Sequence, residues 1–323
     1  MSRWLLRALG LLLMASALAL ALSRAPDRSV ESLVARWASP PSDFIDLNGQ
    51  LVHLRDAGPR HDAVPIVLIH GTSASLHTWL GWEAALQGQR RVISFDLPAF
   101  GLTGPFSGRY AGQPYRGDHY ARFVLDLLDA LKLQRVVIGG NSLGGEVAWR
   151  VASLAPQRVE RLILVDAAGL PFEPESVPLG FMVARLPVLN RLTEWVLPRG
   201  VVEASVRNVY GDPSKVSAEL VDRYFELTLR EGNRRALAQR LAAQREDAEH
   251  FDDNRARLRA LKMPTLVLWG GRDRLIPLAV GRQMAAEVPG ARLQVFDALG
   301  HVPHEEDPAA TVAVVREFLA AKP

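Results

Sequence analysis

The 323-residue sequence contains no cysteine. That excludes disulfides, thiolate nucleophiles and zinc sites built on sulfur, and it leaves the redox compartment open. Charge of one sign is scarce as well. The 38 Lys and Arg against 35 Asp and Glu leave a formal charge of +3, too small an excess for a nucleic-acid-binding surface. Internal repeats and low-complexity tracts are missing. So is a long hydrophobic run: the uncharged stretch 8–22 holds 15 residues, whereas a spanning helix takes about 20.

The amino-terminal segment nevertheless stands apart from the rest. Arg3 and Arg7 precede the apolar stretch, and Ala19-Leu20-Ala21 has the small-residue form of a signal-peptidase site. Counted from Trp4, with Arg7 snorkelling toward headgroups, the segment makes a short span. Residues 1–22 are therefore expected to be a signal anchor that holds the protein on a membrane. If cleaved, they are a signal peptide, and the protein is periplasmic or secreted. Arg24 and Arg28 nearly balance Arg3 and Arg7, so charge does not orient the segment. Residues 23–41, ending in Pro40-Pro41, read as a tether.

The whole chain is 48% hydrophobic and 23% charged, a globular composition with ample material for a core. Two alternating segments joined by Asn48-Gly49 predict a hairpin over 43–58. Short continuous runs of Val, Ile and Leu follow at 65–70, 91–96, 135–140, 161–167, 265–270 and 292–298. Most are separated by amphipathic stretches of helical length. Continuous strands alternating with helices predict an α/β fold with a mostly parallel sheet covered on both faces. The hairpin would form its antiparallel edge. About 85 residues of helical periodicity between the runs at 161–167 and 265–270 predict a helical insertion, since a structureless loop of that length is rare.

Ligands of parallel sheets bind at the carboxyl ends of the strands. The residues found just after the runs are His70, Asp96, Ser142, Asp166, Asp273 and His301, so a serine, acids and a histidine share one rim. Ser142 sits in "GGNSLGG", a Gly140-x-Ser142-x-Gly144 elbow between strand and helix. Flanking glycines there let the serine take a strained turn that exposes its hydroxyl. A hydroxyl needs a base to take its proton. His301 is the candidate base, and Asp273 the candidate acid to fix its tautomer. The oxyanion hole is expected from the N–H of Leu143 and from Thr72, with Ser73 as the alternative to Thr72. No cofactor or metal is required. His304 competes with His301 and is expected to hydrogen-bond within its loop or line the pocket rim. Asp166 competes with Asp273. The arginines between 230 and 259 read as a solvated helix face.

The stretches "HGTSAS", "DLPAFGLTG", "GNSLGG", "WGGRDRLIP" and "GHVPHEEDP", in this order, resemble the α/β-hydrolase family over about residue 42 to the end. The resemblance implies the α/β-hydrolase fold, with core segments at 42–170 and 257–323 and a cap at 171–256 that shapes the pocket. It also implies loop-supporting roles for His70 and Asp96. Phe172, Phe181, Met182, Leu186, Trp195, Val206, Tyr210 and Phe225 would make the pocket, or the cap's own core, apolar. A serine at 142 excludes the epoxide-hydrolase and dehalogenase branches, which use a carboxylate there. The leading expectation is hydrolysis of a small apolar ester through an acyl-enzyme. The alternative is carbon–carbon hydrolysis of ring-cleavage products, whose enzymes "GNSLGG" and "WGGRDRLIP" resemble. This chain lacks their glycine-rich "HGGGPG"-type loop and their tryptophan after the final Gly-His, where Val302 stands. A non-catalytic, membrane-tethered binding protein of the same fold is the third expectation.

Overall fold

The apolar runs form the sheet they predict. The computed structural model describes residues 3–185, 194–247 and 251–321; of Ala17, Ala19, Leu20, Leu22 and residues 245–247 it describes the backbone alone. Leu186, named above for the cap, lies outside the described residues. The strands are β1 (Ser42–Leu47), β2 (Gln50–Ala57), β3 (Ile66–Ile69), β4 (Val92–Phe95), β5 (Val136–Asn141), β6 (Val159–Val165), β7 (Thr265–Gly270) and β8 (Arg292–Phe296). The described helices are α1 (Arg3–Leu22), α2 (Val30–Trp37), α3 (Leu80–Leu86), α4 (Gly117–Ala130), α5 (Leu143–Leu154), α6 (Leu179–Ala184), α7 (Arg199–Val209), α8 (Ala218–Thr228), α9 (Asn233–Asp247), α10 (Phe251–Arg259), α11 (Leu278–Glu287), α12 (Pro303–Glu306) and α13 (Pro308–Ala320).

The sheet runs β1-β2-β4-β3-β5-β6-β7-β8. β2 pairs antiparallel with β1 and β4, and every later pair is parallel. Asn48 and Gly49 join β1 to β2 at φ +55° and +83°, the two positive values a tight hairpin needs. Alternation within β3 shows why the runs are continuous. Val67 and Ile69 pack into the cluster formed with α4 and α5, whereas Ile66 and Leu68 pack with Trp79, Trp82 and the α13 residues Val312, Val315 and Phe318. Both faces are buried, so neither can alternate with polar residues. β6 starts at Val159, two residues before the expected run, and stops at Val165, because Asp166 turns out of the strand at φ +44°. Between β6 and β7 lie the helices α6 to α10.

The amino-terminal segment differs from its expectation. Among the described residues no helix is long and apolar enough to cross a membrane. Residues 23–41 are not a free tether. Ala25 N–H donates to Trp195 O at 2.9 Å, Leu197 N–H to Ser23 O at 3.0 Å, and Arg28 N–H to Leu229 O at 2.7 Å. On α2, Leu33 and Trp37 are buried against Leu102 and Leu227, and Arg36 and Trp37 both donate to Glu226 of α8 at 2.7 Å. Burying one leucine of this kind stabilises by about 2 kcal/mol. The segment is a strap across the helical insertion.

Candidate active site

Ser142 stands between β5 and α5 at φ +55°, ψ −117°, a conformation that costs a non-glycine residue on the order of 1–3 kcal/mol. The flanking glycines make the turn sterically attainable. A Cβ on Gly140 would lie 2.1 Å from Gly144 O, and one on Gly144 would lie 2.1 Å from Ile69 O. Three backbone bonds over-determine the turn: Ser142 N–H donates to Val165 O, and Ser142 O accepts from Glu146 and Ala168 N–H, each at 3.0 Å. Asn141 ties the elbow to the last loop by donating to His301 O at 2.9 Å.

His301 follows β8 and is nearly buried. Its Nδ1 meets Asp273 Oδ2 at 2.6 Å. Asp273 Oδ1 accepts N–H bonds from Leu275 at 2.8 Å and Ile276 at 2.9 Å. Asp166 does not make that contact. Its Oδ1 accepts from Gly270 N–H at 2.9 Å, and burial together with the Asp273 charge pushes its carboxyl well above the usual range. Ser142, His301, Thr72 and Leu143 line one cavity of about 320 Å³, so the expected nucleophile, base and oxyanion donors face a common space. Ser73 lines an adjoining cavity instead. Ligand atoms of Asp166, Asp273 and His301 lie within 4.8 Å of one another. The contacts just described already engage one oxygen of Asp166 and both of Asp273, as suits an acid–histidine pair more than a metal cage.

The remaining candidates are structural. His70 Nδ1 donates to Gly71 O at 2.7 Å while its Nε2 accepts from Leu97 N–H at 2.9 Å, and burial lowers its pKa. Asp96 accepts from Leu76 N–H, Leu102 N–H and His53 Nδ1. Burial alone would raise its pKa, but the histidines and hydrogen bonds around it hold it at about 2. His304 corrects its expectation. It is fully buried, its ring lies 4.0 Å from that of Trp79 between centroids, and neither nitrogen has a hydrogen-bond partner among the described residues.

Two polar elements escaped sequence reasoning. Glu306 accepts from Gly211, Asp212 and Gly300 N–H at 2.8–2.9 Å, joining the insertion to the His301 loop. The acids of "HEEDP" were the only signal for it. The second corrects the reading of the arginines as solvated. Arg234 and Arg240 are buried, and Arg240 reaches the cavity wall. There Glu146, one turn past Ser142, accepts from Arg150 Nε at 3.0 Å and from Arg240 at 3.2 Å. A helix-face pattern cannot show that a carboxylate from another element waits beneath it.

Comparison with known proteins agrees with this fold. The family model of the alpha/beta hydrolase fold matches residues 64–308. The chain is 31% identical over 283 residues to a 2-hydroxy-6-oxo-2,4-heptadienoate hydrolase of Pseudomonas putida, covering 84% of this chain and 93% of that one. It is 30% identical to a dihydrolipoyllysine-residue acetyltransferase component of an acetoin cleaving system, also of Pseudomonas putida. There the match covers 81% of this chain but only 65% of that protein, just under two thirds of its length. Among solved structures, a thermophilic esterase of Thermogutta terrifontis superposes with a TM-score of 0.68 at 26% identity, covering 86% of this chain and 97% of that one. The chain belongs to the alpha/beta hydrolase fold family.

Proposed function

We propose that the protein is a serine hydrolase of carboxylic esters that carry an apolar chain. The observation that supports this most directly is the strained Ser142 sharing a cavity with a histidine bonded to a buried carboxylate at 2.6 Å. In the proposed reaction His301 Nε2 takes the Ser142 hydroxyl proton as Oγ attacks the carbonyl carbon. The oxyanion is held by N–H groups of Leu143 and Thr72. Collapse expels the alcohol, protonated by His301, and leaves an acyl-serine. Water, deprotonated by His301, then attacks the acyl carbon and frees the acid and Ser142.

An apolar chain is favoured by a second cavity of about 110 Å³, lined by Leu197, Val201, Val202, Val206 and Leu237. It meets the first at Thr72, Phe181, Val209 and Tyr224. The strap helps wall it, through the bond of Leu197 to Ser23 and the ion pair of Arg234 with Asp27.

Carbon–carbon hydrolysis of ring-cleavage products is the second reading, and the similarity to the heptadienoate hydrolase favours it. Against it stand the loop Gly71-Thr72-Ser73 and Val302 at the cavity wall. A panel of p-nitrophenyl esters of graded chain length, run beside a dienone ring-cleavage product, separates the two. Ester turnover with fluorophosphonate labelling of Ser142 is expected. Cleavage of the dienone alone would establish the second reading, and neither turnover nor labelling would leave a binding protein.

We further propose that α1 associates with lipid. Nine of the fifteen exposed large apolar side chains among the described residues are on it, from Trp4 to Leu18, and such concentration marks an interaction surface. Membrane fractionation with mass determination of the amino-terminus tests this. An intact chain released only by detergent is expected, and a soluble chain beginning at Leu22 would refute it.

A further inference from the structure

Asp166 is a buried titratable group that the proposed reaction leaves idle. Its left-handed φ of +44° turns the carboxyl off the end of β6 and into the acid–histidine cluster. Three acids face this cluster from different elements: Asp166 after β6, Asp273 after β7 and Glu306 on α12. Among the described residues His301, after β8, is the histidine whose ring nitrogen lies in the cluster, and His304 of α12 acts on it electrostatically. Glu306 is satisfied by three backbone N–H groups. Asp273 has two N–H donors and the imidazole. Asp166 has one N–H donor, to Oδ1, and no hydrogen bond reaches its Oδ2 from any described residue.

Two carboxylates so close in a water-excluded site do not both ionise, and the proton goes to the one with fewer donors. An oxygen that accepts nothing is also where a carboxylic hydroxyl belongs, since a hydroxyl must donate.

We propose that Asp166 is a neutral carboxylic acid whose Oδ2–H donates to the Asp273 carboxylate, making Asp166 a positioning residue that tempers the basicity of the acid–histidine pair. The proposal rests on the assignment of Asp273 and His301 to the hydrolytic machinery. One negative charge rather than two then lies beside the His301 imidazole. The donated hydrogen bond holds the Asp273 carboxylate in the plane that receives Nδ1–H. Burial and the Asp273 charge push the Asp166 carboxyl upward, in keeping with a neutral acid.

The test is the pH profile of kcat/KM for p-nitrophenyl acetate in the full-length protein and in Asp166→Asn, Asp166→Ala and Asp273→Asn. Asn keeps an N–H donor and carries no charge, so its acid limb should match the wild type. Ala removes the donor, strengthens Asp273 as a base and should move the limb upward by about half a unit to one unit. A limb that falls by about a unit or more in Asp166→Asn would show that a negative charge had been removed, and would overturn the proposal. Identical profiles for Asn and Ala would also overturn it, because the donor would then do nothing. If Asp166→Ala does not fold, difference infrared spectroscopy above neutral pH decides instead. The carbonyl stretch of a protonated carboxyl should be present in the wild type and missing in Asp166→Asn, and its absence from the wild type would sink the idea. Near-normal turnover by Asp273→Asn would instead overturn the underlying acid–histidine assignment.

Discussion

The sheet rim and the helical insertion above it hold their functional groups by different means. On the rim, backbone does the work: Ser142, Asp166 and the Asp273 and His301 loops are set by strand ends, N–H donors and glycine contacts in a core with both faces buried. In the insertion, long side chains do it. Arg36 and Trp37 reach Glu226, Arg199 reaches Asp222, Arg223 reaches Glu305, Arg234 reaches Asp27 and Arg240 reaches Glu146. Backbone-set groups tolerate little movement, which suits chemistry. Arginine–carboxylate ties are weaker where exposed and costly to break where buried, which suits a wall that adapts to substrate.

If that contrast is sound, variants of Ser142 and Asp273 on the rim should lose activity without losing the fold, and insertion variants should do the reverse. The largest effect is expected from Ser142→Ala, with kcat for esters down by about 10⁶ and an unchanged thermal melt. Near-wild-type turnover of the purified variant would remove Ser142 from the nucleophile role. Asp273→Asn should follow at about 10⁴ in kcat, again with the fold retained. Asp166→Asn should stay within a few-fold of wild type, and the reverse ranking would place the acid one strand earlier.

Truncation probes the strap. Removing residues 1–22 should leave turnover of water-soluble esters intact. Removing 1–41 also strips α2, exposing Leu102 and Leu227, and should cost several kcal/mol in a denaturant melt, as loss of a buried Trp and Leu does. Equal melts for the two truncations would return the strap to the status of a tether. Arg240→Ala should destabilise by about 3 kcal/mol, because Glu146 keeps Arg150 but loses a buried partner. A change below about 1 kcal/mol would mean the wall is solvated.

The smallest effect is graded with pH. Burial lowers the His77 pKa from 6.5 to about 4, with Asp96 opposing. Its neutral ring links Ser75 Oγ to the strap at Trp37 O. Protons then favour the unfolded chain. Stability should be full above about pH 6.5 and fall, by at most about 3 kcal/mol from this group, as pH drops toward 4. His70 and His304, also lowered by burial, act in the same direction. His77→Gln should flatten that slope, which urea melts at pH 7 and pH 5 would measure.

The sheet and the order of its rim are legible in local patterns. Continuous Val, Ile and Leu runs can only be strands covered on both sides, and the elbow glycines announce a close approach that the contacts of Gly140 and Gly144 display. Periodicity and spacing are local, so they survive without coordinates. Contacts between elements distant in the chain are not local, and they emerge only when the chain is folded. Residues 23–41 look like a linker until Glu226, some 190 positions away, is found against Arg36 and Trp37. Arg240 looks solvated until Glu146 meets it from α5. His304 looks like a polar loop residue until Trp79 covers its ring. Asp166 and Asp273 look like rivals for one role until the fold packs them with His301, where two neighbouring carboxyl groups cannot share the same charge.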